Sequence, residues 1–124
     1  MITVGAADDK GTKSISDDSV ASFSAYGRTE DRISKPDLVA PGVAILSSLP
    51  EGTWDYRSGT SMAAPHVSGV AALLIQARPS APLTDIVNAI YTTARHPGSS
   101  DKRRDSRFGR GLINPSGALE EIVK

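Results

Sequence analysis

The first sixty residues carry their apolar positions in short runs that turn-forming residues separate. Each run is rich in β-branched side chains or alternates apolar and small polar side chains, a pattern typical of strands. The predicted strands are Ile2–Ala7, Val20–Tyr26, Asp37–Ala40, Val43–Leu49 and Trp54–Ser58. Because Pro-Glu-Gly separates the last two runs, we expect them to form a hairpin.

Residues 61–124 change to helical periodicity. Between Met62 and Gln76 almost every position is apolar or small, which predicts a helix buried around most of its circumference. A second predicted helix is amphipathic, since apolar residues recur at intervals of three and four from Leu83 to Ala94. Asn114 followed by Pro115 is typical of the start of a third, short helix. A strand-rich part (1–60) and a helical part (61–124) therefore follow each other in a chain whose length predicts a single domain.

Charge and composition exclude several classes of partner. The 124 residues carry 14 Lys and Arg against 14 Asp and Glu, so the formal net charge is zero. Nucleic-acid binders and anionic-membrane binders depend on a long-range positive field, so neither partner is expected. The dense basic run at 102–107 is interpreted as an exposed loop. No cysteine is present, which excludes a disulfide framework and a thiol nucleophile but assigns no cellular compartment.

The segment with candidate chemistry runs from Ser58 to Gly69, where a strand passes through a glycine turn into the first helix. Ser61 lies at this junction. Its backbone N–H is expected among the unsatisfied donors of the helix N-terminus, where the local field favours negative charge. A serine in this position can attack a carbonyl while its own N–H holds the developing oxyanion. A serine before a helix is also a common N-cap, so the junction alone leaves both interpretations open.

The longer string Gly-Thr-Ser-Met-Ala-Ala-Pro-His-Val-Ser-Gly, residues 59–69, closely resembles the nucleophile motif of the subtilisin-like serine proteases, or subtilases. Four further segments resemble that family: Ile2–Ala6, Ala21–Gly27, Lys35–Gly42 and Phe108–Asn114. The resemblance implies that residues 1–124 are part of a subtilase catalytic domain, the C-terminal portion of a three-layer α/β fold. It also implies a serine endopeptidase that acts on polypeptides.

Under this resemblance Ser61 is the nucleophile, its N–H is one oxyanion donor and Thr60 is a secondary contributor. Subtilases also require an Asp, a His and an oxyanion-hole Asn, all of which precede the part of the family that this chain resembles. Met1 is therefore interpreted as the start of a fragment or of a truncated reading of a longer protease, and the chain alone is expected to be inactive. No cofactor is implied, although structural calcium is frequent in the family.

The chain has two histidines, and neither is expected to replace the missing base. His66 follows Ser61 by five residues on one helix, about 140° around the axis and about 7.5 Å along it, so it is interpreted as a structural histidine. His96 is interpreted as a solvated loop residue. A different hydrolase, using Ser61, Asp85 and His96 in the chain order of the α/β-hydrolases, is disfavoured because Gly-Thr-Ser-Met-Ala lacks the second glycine of their nucleophile motif.

The remaining candidates are given ordinary structural interpretations. The acidic residues between Asp8 and Asp18 lack a calcium-loop spacing, so they are interpreted as solvated turn carboxylates and no metal site is assigned. Trp54 and Tyr56 alternate with charged residues, which indicates cross-strand packing rather than a ligand platform.

The alternative function is a non-catalytic binding or structural module derived from a subtilase. For either function, an unpaired edge of the first strand and an uncovered face of the first helix predict that the isolated chain forms a homodimer.

Overall fold

The computed structural model describes residues 1–97 and 105–124, and in them a mixed α/β fold. The seven strands are β1 Val4–Asp8, β2 Ser19–Val20, β3 Gly27–Arg28, β4 Ser34–Lys35, β5 Leu38–Pro41, β6 Ile45–Ser48 and β7 Trp54–Arg57. The three helices are α1 Thr60–Ala77, α2 Leu83–Thr93 and α3 Pro115–Ile122. The predicted α/β class is therefore confirmed. None of the helices in the described ranges is both long and apolar enough to cross a bilayer.

The central sheet has the order β2-β1-β5. β1 runs parallel to β5, with Val4 opposite Leu38, and antiparallel to the short β2. A segment near the C-terminus extends the sheet, because the Ile113 N–H donates to the Val39 carbonyl at 2.9 Å. The sheet therefore brings the two ends of the chain together, with β5 between them.

The hydrophobic core lies between this sheet and the helices. α1 packs on β1 and β5, and α2 and α3 pack against each other and against α1. The buried apolar residues shared by these elements include Ala6, Leu38, Ala40, Ala63, Val67, Val70, Leu74, Ile86, Ala89, Ile90, Ala118 and Ile122. On the sheet side the core residues are mostly small, so α1 can approach the strands closely.

The strand predicted over Val20–Tyr26 is wrong beyond its first residue. Only Ser19–Val20 is extended in a ladder, and the chain then turns, with the Ser24 N–H donating to the Ala21 carbonyl at 3.0 Å. The buried Ser24 hydroxyl accepts from the Ala6 N–H at 3.0 Å. A side-chain oxygen therefore replaces a ladder acceptor, an arrangement that alternation in sequence does not reveal.

These contacts also correct the prediction that the first strand has an unpaired edge. Ala6, in the middle of β1, donates to Ser24 and accepts from the Ala21 N–H at 2.9 Å. Since β5 pairs the opposite side of β1, backbone groups on both sides of Ala6 are bonded. The homodimer prediction therefore cannot rest on this edge.

The first helix is less enclosed than its composition predicts. Ala63, Val67, Val70 and Leu74 are buried and form one stripe, but Leu73 and Ile75 remain 56% and 53% exposed. Their positions lie away from the sheet, and the described residues cover only one face of α1. The prediction of burial around most of the circumference is wrong for these residues of the chain.

The hairpin is confirmed. β6 and β7 pair antiparallel, with Ile45 opposite Arg57 and Ser48 opposite Trp54. A short 3-10 turn at Pro50–Gly52 joins them, as the Pro-Glu-Gly signal predicts. The hairpin lies directly before α1 in the chain and so approaches Ser61.

Candidate active site

Ser61 is the second residue of α1, after Thr60 and the N-cap residue Gly59. Gly59, at the N-cap position, donates its N–H to the Gly42 carbonyl at 2.8 Å, so the turn is fixed to the end of β5. A Cβ on Gly42 would lie 2.6 Å from the Ala6 Cβ and 2.9 Å from the Gly59 carbonyl oxygen. Glycine is therefore required where the sheet meets the turn that carries Ser61.

The backbone at the start of α1 leaves the Ser61 N–H available. The Met62 and Ala63 N–H groups both donate to the Gly59 carbonyl, at 3.0 and 3.3 Å. Within the described residues the Ser61 N–H has no acceptor. It therefore belongs to the free donors of the helix N-terminus, where an anionic oxygen is stabilised. Thr60 is the first residue of the helix and half-buried, and its predicted secondary role stays a prediction.

A cleft of about 340 Å³ opens beside Ser61. One wall comes from β6 and the other from the first turns of α1, and the lining residues are Ile45, Leu46, Ser47, Ser61, Met62, Pro65 and His66. Ser61 is exposed and lies on this cleft. Ser61 is thus accessible from a surface depression that is lined mainly by apolar residues.

Pro65 and His66 shape the helical wall of the cleft. Pro65 is inside α1 rather than in its first turn, so it has no N–H for the Ser61 carbonyl that lies four residues earlier. The His66 Nδ1 is hydrogen-bonded to the Met62 carbonyl at 2.9 Å, one turn back on the same helix. The structural hydrogen bond predicted for His66 is therefore present, although the residue is exposed.

His96 is not the solvated loop residue that the sequence predicts. Its side chain is only 19% exposed and its ring contacts that of Phe108 at a centroid distance of 5.1 Å. Nε2 is hydrogen-bonded to the Asp105 carboxylate, and Nδ1 to the Pro97 carbonyl at 3.0 Å. Both ring nitrogens of His96 are therefore engaged in hydrogen bonds with neighbouring oxygens.

Asp105 is held as a carboxylate by its neighbours. Burial alone would raise its pKa, but the backbone N–H of Phe108, the His96 side chain and the backbone N–H of Arg107 outweigh burial and lower the pKa below its usual value. The two N–H groups donate to Oδ1 at 2.7 Å each. His96 and Asp105 therefore fasten the end of the α2 region to the segment before α3.

The alternative set Ser61, Asp85 and His96 is not assembled. The Asp85 carboxylate pairs with Arg78 at 3.6 Å, across the connection between α1 and α2. His96 pairs with Asp105 instead of Asp85. Because neither the acid nor the base is directed to the other, the α/β-hydrolase interpretation is wrong.

Comparison with known proteins decides the family. A family model described as the subtilase family matches residues 1–111, which is most of the chain. This chain belongs to the subtilase family.

Individual subtilases agree with this assignment. Subtilisin of Bacillus pumilus is 41% identical over 100 residues, which are 81% of this chain and 32% of that protein. Subtilisin DY of Bacillus licheniformis is 35% identical over 120 residues, 97% of this chain and 37% of that protein. The structure of the CspB protease of Clostridium perfringens superposes with a TM-score of 0.83 at 30% identity, over 100% of this chain and 27% of that one. The chain therefore spans about a third of the length of these subtilases and shares their fold.

The acidic residues near the N-terminus make local contacts that stabilise turns. Asp8 pairs with Lys10 at 2.7 Å, and the Thr12 hydroxyl donates to Asp17 at 2.9 Å. Burial, followed by the charges of Asp17, Asp9 and Asp8, raises the pKa of Asp18. Among residues 1–97 and 105–124, no group of three or more His or acidic residues is arranged to hold a metal ion.

Sequence reasoning missed two features of the subtilase segment. His96 and Asp105 are nine residues apart in sequence, and only the turn-forming residues Asp105 and Gly109 on either side of Phe108 could have indicated that the chain folds back there. The hairpin residues Trp54 and Tyr56 have cross-strand partners as predicted, yet remain 67% and 64% exposed. The predicted basic loop lies largely outside the described residues, which resume at Asp105.

Proposed function

We propose that this chain is the nucleophile-bearing part of a subtilisin-like serine endopeptidase and that Ser61 attacks the peptide carbonyl. The observation that carries this proposal is the position of Ser61: exposed on a cleft, at the N-terminus of α1, with its own N–H free. That combination offers a nucleophile and an oxyanion donor within one residue.

The proposed reaction follows from this geometry and the family resemblance. The Ser61 Oγ bonds to the carbonyl carbon as its proton passes to a histidine supplied by another part of the complete enzyme. The carbonyl oxygen becomes an oxyanion that accepts from the Ser61 N–H, with Thr60 in the secondary role. Collapse breaks the C–N bond, the histidine protonates the leaving amine, and water then hydrolyses the ester on Ser61.

The same contacts support the proposal that the isolated chain is catalytically silent. The Nδ1 of His66 is bonded to Met62, and both nitrogens of His96 are bonded within its own loop region. Neither imidazole is placed as the general base of Ser61. A serine hydroxyl without a base is a weak nucleophile at neutral pH. The chemistry itself requires no cofactor, and structural calcium is proposed only for the complete protein.

The test is a pair of serine substitutions in the complete enzyme proposed above, a longer protein that would contain this segment. Ser61→Ala is expected to abolish cleavage of casein, with the thermal midpoint nearly unchanged, because the exposed hydroxyl makes no hydrogen bond within the described residues. Ser68→Ala is the matched control: it removes a serine from an exposed position of the same helix, outside the cleft. Normal cleavage by the Ser61→Ala variant would overturn the assignment.

A non-catalytic module is the second candidate, and an apolar groove favours it. The groove, about 440 Å³, lies between α1 and α3 and is lined mainly by Val70, Leu73, Leu74, Ala77, Pro115 and Leu119. We propose that a second copy of this chain covers the groove when the chain is alone, which gives a homodimer. Cleavage of casein by the longer protein would exclude a purely structural role.

A further inference from the structure

The β6–β7 hairpin presents an apolar face to solvent. Leu46 lies opposite Tyr56, and Ser48 lies opposite Trp54. Directly opposed residues of an antiparallel pair share a face, and so do alternate residues of one strand, so all four lie on the same face. Leu46, Tyr56 and Trp54 are 50%, 64% and 67% exposed, whereas the opposite face carries Asp55 and Arg57.

This apolar face is continuous with the cleft that holds Ser61. Leu46 belongs to both: it is a member of the face and it lines the cleft next to Ile45 and Ser47. A chain that crosses the cleft at Ser61 therefore meets the apolar face at Leu46. Ile45 and Ser47 belong to the opposite face of the hairpin, where they pair with Arg57 and Asp55. The aromatic rings of Trp54 and Tyr56 offer a large contact area with few rotatable bonds, as in the anchor residues of protein interfaces.

We infer that the face formed by Leu46, Trp54 and Tyr56 binds apolar side chains of the polypeptide whose scissile bond lies at Ser61. The inference rests on the proposed function and adds a determinant of specificity to it. We expect the face to bind a polypeptide substrate rather than a second copy of the chain, because the face adjoins the Ser61 cleft. The groove between α1 and α3, which is proposed to bind the second copy, is a separate surface. Cleavage is expected to favour substrates with apolar residues near the scissile bond.

Trp54 reports on this face directly, because it is the only tryptophan of the 124 residues. The probe is a synthetic, tryptophan-free peptide of twenty residues with several leucines, added to the chain carrying Ser61→Ala. Binding is expected to move the Trp54 emission to shorter wavelength in a saturable manner, since the exposed indole becomes covered. The same peptide with serine in place of each leucine is expected to cause no shift.

Two variants locate the binding. Leu46→Ser keeps the reporter and removes an aliphatic member of the face, so the affinity is expected to fall about tenfold. Leu83→Ser is the matched control, because Leu83 is 75% exposed on α2 and lies outside the cleft. Thermal melts followed by circular dichroism are the control that both variants are folded.

Several outcomes would overturn the inference: no emission shift with the leucine peptide, an equal shift with the serine peptide, or undiminished affinity in Leu46→Ser. An emission change that depends on protein concentration without peptide would assign the face to a second copy instead. The proposed function is judged separately by casein cleavage. If the peptide binds but the longer protein cleaves nothing, the proposed endopeptidase function is rejected and the binding role of the apolar face stands. If the longer protein cleaves casein but the peptide does not bind, the endopeptidase function stands and the binding role of the face is rejected.

Discussion

Gly59 donates its N–H to the carbonyl of Gly42 at 2.8 Å, and this single bond joins the end of β5 to the turn that carries Ser61. The position of the candidate nucleophile is therefore set by a contact between residues that are distant in sequence. Because the Gly42 N–H also donates to the Ala7 carbonyl at 2.9 Å, the connection extends to β1 in the centre of the sheet. The sheet and the start of α1 thus form one support for the cleft.

Replacement of Gly42 tests this support. Gly42→Ala would place a Cβ 2.6 Å from the Ala6 Cβ and 2.9 Å from the Gly59 oxygen, so the strand or the turn must move. We expect a loss of about 1–3 kcal/mol in the free energy of unfolding, measured by urea denaturation. In the longer protein, casein cleavage is expected to fall beyond what this loss of stability explains.

Gly69→Ala is the control for the glycine substitution and is expected to act in the opposite direction. Gly69 lies inside α1, and a Cβ there meets no atom within 4 Å. Alanine is therefore expected to stabilise the helix by about 0.5–1 kcal/mol. Equal effects of the two alanines would contradict the role given to Gly42.

The isolated 124-residue chain is expected to react only slowly with a fluorophosphonate serine probe. Among the described residues neither His66 nor His96 is hydrogen-bonded to Ser61, so we expect its hydroxyl to lack a general base. Gel fluorescence after incubation at neutral pH measures the labelling, and the Ser61→Ala chain gives the background. Rapid stoichiometric labelling that requires Ser61 would show that the chain supplies a base after all.

Acidification should weaken the contact between His96 and Asp105. The pKa of Asp105 is lowered on folding, so its contribution to stability is present above the unfolded pKa and is lost as the pH falls through the folded pKa. Asp105→Asn is therefore expected to destabilise the chain at pH 6 and to approach the stability of the unsubstituted chain as the pH falls below 3. Since the carboxylate side chain is 41% exposed, the difference should be below about 1 kcal/mol.

Thermal melts between pH 3 and pH 6 measure this difference. Asp8→Asn is the matched control, because Asp8 forms a local ion pair with Lys10, only two residues away, on the surface. Its effect is expected to be small and to disappear in high salt. A stability difference for Asp105→Asn that is constant over the whole pH range would contradict the charged contact.

Self-association of the isolated chain is expected to use the groove between α1 and α3. Leu73→Glu places a charge on that groove and should shift the chain toward monomer in sedimentation at micromolar concentration. Leu83→Glu changes an equally apolar, exposed residue outside the groove and should leave association unchanged. A monomer at all concentrations for the unsubstituted chain would reject the homodimer.

The sequence by itself determined the local elements and the candidate nucleophile. Regular periodicity predicted α1 and α2, Asn114 and Pro115 predicted the start of α3, and Pro-Glu-Gly predicted the hairpin turn. The eleven residues from Gly59 indicated the family, which the family model confirms. These are properties of neighbouring residues, and short-range sterics and hydrogen bonding act at that distance.

Only the tertiary structure decided which faces are covered and which polar groups meet. The Ser24 hydroxyl accepts from the N–H of Ala6, eighteen residues away, in a turn where the sequence predicted a continuing strand. His96 is partly buried because Asp105 and Phe108 fold back on it. Leu73 and Trp54 are exposed although their types favour burial, since exposure depends on which elements pack against them. Packing and long-range hydrogen bonds join residues that no local pattern relates, so these features follow from the fold alone.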